Sequence, residues 1–246
     1  MHRPSILTLT SQVLRDPHAV VNAHDSAADL GWLAPRLLAI SGVGAALFGA
    51  VVGSYRGGEQ VLYAALKLPV LLWAPPLLAL PAIHAAWRAC DVDVSYRRLA
   101  IASLAGMARA GVLASALAPI LWLPYSVEAD YHFSVLLFAA MLALAGLPGL
   151  TALASAIPAG GHRRWIAATG SLALVGLILA QTGWLLRPFV ARPTTAVALF
   201  RPVEGDILTG LAATTASSLG FYGEWDAGRD GLLSRGAPES GSTDAR

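Results

Sequence analysis

The chain is poor in the residues that soluble chemistry and soluble folds draw on. Among 246 residues there is one cysteine, one asparagine (Asn22) and one lysine (Lys67), and Asp, Glu, Lys and Arg together make up 13%. Soluble domains carry roughly 25% charge, so the composition argues against an ordinary soluble globular enzyme and equally against a disordered chain. Cys90 alone excludes an intrachain disulfide and a cysteine-based metal cluster. A formal net charge of +2 without an Arg/Lys-dense stripe argues against a nucleic-acid partner. No His-Glu-x-x-His, Gly-x-Ser-x-Gly, phosphate loop or pair of intramembrane carboxylates occurs. Gly42 and Gly44 lack the preceding strand and later glycine of a nucleotide loop. Catalysis is therefore the least supported class, and neither a cofactor nor a metal is expected.

What is present is apolar. Hydrophobic residues make up 56% and the mean hydropathy is +0.60, which points to an all-α, polytopic membrane protein. A hydrocarbon core of roughly 30 Å asks for about 20 apolar residues per helix. Five runs satisfy this: Pro35–Tyr55, Val61–Ala86, Leu99–Leu123, His132–Ala154 and Trp165–Leu186. Trp32, Tyr55, Tyr63, Trp87, Tyr96, Trp122, Tyr125, Tyr131, Trp165 and Trp184 cluster at their ends, where amphipathic rings favour the headgroup region. Only Trp73 falls mid-span. Arg3, Arg15, Arg36, Arg88, Arg97, Arg98, Arg163 and Arg164 gather on the side of the N-terminal tail and the even-numbered loops, whereas Pro124–Tyr131 carries only Glu128 and Asp130. The positive-inside rule then places the N-terminus in the cytoplasm and the C-terminus outside. An Arg-rich, Lys-poor and Asn-poor composition suggests a GC-rich bacterial genome, and so an inner (plasma) membrane. No secretory signal peptide or lipidation motif is expected.

The flanks divide the rest. Residues 1–34 form a cytoplasmic segment in which Ile6, Leu9, Val13 and Leu14 recur at helical spacing and Asp16-Pro17 ends the helix. This short amphipathic helix is expected on the membrane or on the bundle. Residues 35–186 hold the five spans. Residues 187–222 combine a proline-punctuated stretch with a terminal amphipathic helix started by Pro202, Glu204 and Asp206. Residues 223–246 have the composition of a disordered tail.

Several features are candidates for function. Ser41, Ala45, Gly49 and Gly53 place a small residue on one helix face every fourth position, a packing surface for a neighbour in the bundle or for a second copy. Pro69, Pro75, Pro76 and Pro81 interrupt the second span, and each proline frees a carbonyl one turn earlier. Such breaks coordinate solutes in transporters, or simply kink a helix whose neighbours satisfy it. Arg109 is the charge set within an apolar run, either an intramembrane polar site with Pro75 and Pro76 or a side chain that snorkels to the surface. Glu128, Asp130 and His132 alternate, a weak cation signal that reads more simply as a solvated turn. Arg56, Lys67, Arg187 and Arg201 fall toward the non-cytoplasmic face with Glu59 and Glu204, and predict an ion-paired cap there.

The arrangement resembles the Yip1 superfamily, and its bacterial Yip1-like membrane proteins in particular. The residues that carry the likeness are Gly53-Ser54-Tyr55-Arg56-Gly57, Leu62 to Pro69, Tyr131-His132-Phe133, Leu186-Arg187-Pro188-Phe189 and Phe200 to Gly205. The Asp-Leu-Tyr-Gly-Pro-type motif of the eukaryotic members does not occur. What the resemblance implies is architecture: a cytoplasmic N-terminal segment, five clustered spans and a short non-cytoplasmic C-terminus.

The expected function is a non-enzymatic scaffold or accessory subunit, whose partners are the lipid bilayer and other membrane subunits or a second copy. The alternative is a small-solute or ion transporter using the broken second span and Arg109. A transporter requires a polar midplane cavity reached by Arg109 and by the carbonyls before Pro75 and Pro76. A scaffold requires a dry bundle with apolar surface beyond its own needs.

Overall fold

Serine side chains open three of the seven described helices. In the computed structural model, which describes residues 4–24, 26–127, 131–154, 162–187 and 189–190, Ser5 caps α1 (Ile6–Arg15) by accepting from the Thr8 amide. Asp16 ends α1 and starts α2 (Pro17–Ala23) at once, its carboxylate accepting from the Ala19 amide at 3.0 Å with Pro17 in the first turn. The helix expected to stop at Asp16-Pro17 therefore turns and restarts. Ser26 and Asp29 form a reciprocal capping box, so α3 (Ala27–Ser54) begins well before Pro35, the expected start of the first span. Gly57, at a φ of 79°, lies in the turn into α4 (Glu59–Ala89). Ser95 caps α5 (Tyr96–Ser126), and α6 (Tyr131–Ala154) and α7 (His162–Leu186) follow.

Helices α3 to α7 are each long and apolar enough to cross a membrane, and no strand occurs among the described residues. The protein is an all-α, multi-pass membrane protein with short helices ahead of the first span. All five expected runs are found. Helix α4 continues through its four prolines without interruption.

Helix α5 is central. Every residue from Leu99 to Ala108 is buried, because Ala100, Ala102, Ser103, Ala105, Gly106 and Ala108 are small enough for neighbours to close in on several sides. Helices α3 and α6 pack along it, α4 packs on α3 and carries α7, and α1 and α2 rest on its N-terminal half. Leu9, Val13, Val20 and Val21 are buried with Leu33, Trp87 and Leu99 in a core at that end. The amphipathic N-terminal helix thus docks on the bundle, while Ile6 and Leu7 stay exposed. A second core joins Ala45, Phe48, Leu68, Leu121 and Phe138 toward the other end. Helices α6 and α7 make at most a marginal contact with each other among the described residues.

Candidate functional site

The small-residue stripe of α3 is occupied within the chain. Ser41, Ala45, Gly49 and Gly53 are all buried. A Cβ on Gly49 would lie 2.5 Å from the Ala64 carbonyl oxygen of α4, and one on Gly53 would collide with that of Gln60. Ser41 lies against α5, where a Cβ on Gly111 would come within 2.5 Å of its carbonyl oxygen. Gly44 meets Gly111 from the other side. Backbones in contact at these points leave room for hydrogen and nothing larger, which is how small residues hold helices together in lipid.

Trp73, the mid-span aromatic, belongs to the same contact. Its Nε1–H donates to Ser41 Oγ at 2.9 Å, and its ring occupies the space that a Cβ on Gly42 would need. Trp87, expected at the membrane interface, is instead buried between helices and donates from Nε1 to Ser171 Oγ at 2.6 Å, tying α4 to α7. Trp165 and Trp122 remain exposed as membrane-facing aromatics would be.

Arg109 and the proline pair are placed apart. The Arg109 guanidinium donates to Thr151 Oγ1 at 3.2 Å, level with the last turn of α6 and near the edge of the apolar span. That position suits a snorkelling side chain. Pro75 and Pro76 line a half-open cavity of about 140 Å³ between α4, α5, α6 and α7, and Arg109 is not among its lining residues. The lining is apolar apart from Ser103. Leu71 and Leu72, whose carbonyls lose their helical donors to the two prolines, also face it.

The first loop, the entrance of α4 and the segment after α7 do meet. The bond that joins them runs from Gln60 Nε2 to the Phe189 carbonyl at 2.8 Å. The Phe189 ring packs on Phe138, which stacks on Phe48, and Val190 is buried beneath. Arg187 lies over the Trp184 ring at 3.6 Å. Lys67 is buried and Arg56 half-buried. Arg201 and Glu204, the remaining members of the expected cap, lie outside the described residues, as do the terminal amphipathic helix and the tail. Sequence reasoning missed Gln60. A lone amide just ahead of the apolar run Val61–Ala86 carries no pattern, and nothing local marks it as a contact.

Glu128 and Asp130 also lie outside the described residues. Among the described residues no group of three or more His, Cys, Asp or Glu side chains converges as a metal site would require. Cys90 is a half-buried free thiol at the end of α4.

No protein-family model, no curated protein and no solved structure matches this chain.

Proposed function

We propose that this protein is a non-enzymatic scaffold or accessory subunit of a membrane assembly, with the Yip1-like plan of a cytoplasmic N-terminal segment and five spans in a bacterial inner membrane. The reading rests on one observation above all. In the most apolar stretch of α5, 56% of residues are buried, against 22% for α6 and 17% for α7. Helix α6 packs chiefly on α5 and α7 chiefly on α4, and both leave large apolar side chains such as Leu136, Leu147 and Leu177 exposed. A small-residue core that locks α3, α4 and α5 together, with two outlying helices around it, suits a body that presents α6 and α7 to other chains. The low intramembrane charge supports the absence of catalysis, since acid–base and nucleophilic chemistry need titratable groups near one another. The positive-inside pattern supports a cytoplasmic N-terminus.

The transporter reading draws on the Leu71 and Leu72 carbonyls at the proline pair. It is weaker because Arg109 points elsewhere and the cavity wall is apolar.

The test uses the full chain in its native membrane with a photo-crosslinking residue at Leu136 or Leu147 of α6, or at Leu177 of α7, all exposed. Discrete adducts with one membrane protein, or with a second copy, are the expected result. Lipid adducts alone at all three positions, with a solitary monomer in mild detergent, overturn the reading.

A further inference from the structure

Helices α6 and α7 diverge, and three adjoining apolar cavities form a cleft between them. Its floor is α4 and α5 and its walls carry Gly146, Gly149 and Gly176. Beside the central cavity of about 140 Å³ lies one of about 70 Å³ reaching Phe48 and Leu142, and one of about 190 Å³ reaching Trp87 and Trp165. The neighbours share lining residues, Gly146 on one side and Leu150 and Leu153 on the other. On α6 the cleft runs from Leu142 to Leu153, about 16 Å at 1.5 Å per residue. That is roughly half of a 30 Å hydrocarbon core, the depth of one leaflet. The volumes are too small for a helix some 10–12 Å across and comparable with cavities that hold small apolar molecules.

Three hydroxyl side chains line this space: Thr169 and Ser171 in the cavity toward Trp165, each donating to a carbonyl of its own helix, and Ser103 in the central one. Ser103 is 4% exposed and lines the central cavity, and its hydroxyl has no hydrogen-bond partner. The hydroxyls of Ser41, Ser115, Ser126, Thr151 and Ser171 each donate to a carbonyl of their own helix, as helical serines and threonines commonly do. Ser103 instead keeps a buried donor without a partner beside the central cavity, at a cost unless something accepts from it. It shares the cavity with Leu153, next to the end of α6. That end marks the boundary of the hydrocarbon region, where lipid ester carbonyls sit.

We propose that the α6–α7 cleft seats one acyl chain of a glycerophospholipid, with the Ser103 hydroxyl donating to the ester carbonyl at the head of that chain. The chain enters sideways from the bilayer through the gap between α6 and α7. It lies past Pro75 and Pro76 with its end toward Phe48. Leaving the two helices apart exposes apolar wall that the chain covers. The seat stands independently of the scaffold reading, because a bound lipid neither requires nor excludes a protein partner.

The test is photolabelling of the full chain in nanodiscs made with phosphatidylglycerol carrying a diazirine in one acyl chain, with adducts located by mass spectrometry. Adducts are expected to concentrate on the cleft walls of α6 and α7 over the outward residues Phe133 and Leu144, which serve as the annular control. Gly176→Leu fills the cleft from a position with nothing within 4 Å of its Cβ, and is expected to reduce cleft adducts at least tenfold while leaving the control adducts unchanged. Ser103→Ala keeps the shape and is expected to lower the phospholipid retained in native mass spectra by about three- to tenfold, the worth of one hydrogen bond. Should Gly176→Leu not fold, Ser103→Ala decides the matter alone. Adducts no denser in the cleft than on the outward face overturn the proposal, as does retention indifferent to Ser103→Ala. A diazirine-bearing isoprenoid quinone that labels the cleft where phosphatidylglycerol does not also overturns it.

Discussion

The indole Nε1–H of Trp73 donates to Ser41 Oγ at 2.9 Å, joining the middle of α4 to the middle of α3. The same hydroxyl donates to the Leu38 carbonyl at 3.0 Å, so one serine satisfies a buried ring donor and its own helix at once. A tryptophan in mid-span thus gains both a polar partner and, at Gly42, a place for its ring.

Replacing Ser41 with Ala strands that ring donor in the interior. Ser41→Ala is expected to destabilise the protein by about 1–3 kcal/mol, the cost of an unsatisfied buried donor. In a Trp73→Phe background the same change is expected to cost less, with a coupling of about 0.5–1.5 kcal/mol. Unfolding in mixed micelles of increasing SDS fraction gives all four corners of the cycle, and additivity within about 0.3 kcal/mol counts against the bond.

Glycine positions split into two classes with opposite outcomes. Gly111→Ala drives a Cβ to within 2.5 Å of the Ser41 carbonyl oxygen, so α3 and α5 must separate, at about 1–3 kcal/mol. Gly170→Ala meets nothing within 4 Å and is expected to be neutral or to stabilise by up to about 1 kcal/mol, as alanine favours helix. Thermal midpoints of the two variants in one detergent make the comparison. Equal effects would show that the α3–α5 crossing is looser than described.

These contrasts show where the sequence was readable. The five spans were legible because about 20 apolar residues in a row have one physical use. The small-residue stripe was legible as a packing face, though not as to which helix it faces, since every neighbour in lipid looks alike to a glycine. Trp73 stood out as mid-span, but its partner Ser41 lies 32 residues away and carries no local signal. The restart at Asp16-Pro17 and the capping box at Ser26 and Asp29 were both written in capping chemistry. Both are quieter signals than the hydropathy pattern beside them. Arg109 was ambiguous because its depth depends on where the third span enters the hydrocarbon, at Leu99 or nearer Ser103, and hydropathy alone does not fix that point.

Docking of the N-terminal helix separates two leucines of α1. Leu9 is fully buried on the bundle, whereas Leu7 is 82% exposed. Leu9→Ala is expected to cost about 2–4 kcal/mol and Leu7→Ala no more than about 0.5 kcal/mol. Hydrogen exchange across α1 and α2 should rise in the first variant alone. A helix lying flat on lipid would instead respond to both substitutions alike.

The contact between Gln60 and Phe189 spans 129 residues of sequence and fixes the chain where it leaves α7. Gln60→Leu keeps the bulk and removes the amide that holds the Phe189 carbonyl, so the segment is left to the packing of Phe189 on Phe138 and of Val190 below it. Because Val190 is buried, the Phe189–Val190 bond is shielded in the folded protein, and a protease must wait for the segment to lift. Losing one hydrogen bond worth about 0.5–1.5 kcal/mol raises the lifted population by roughly three- to tenfold. Limited chymotrypsin digestion at low enzyme should therefore cut after Phe189 three to ten times faster in Gln60→Leu than in the parent. An unchanged rate at Phe189 would mean that the aromatic packing alone holds the segment, with the amide a passenger in that contact.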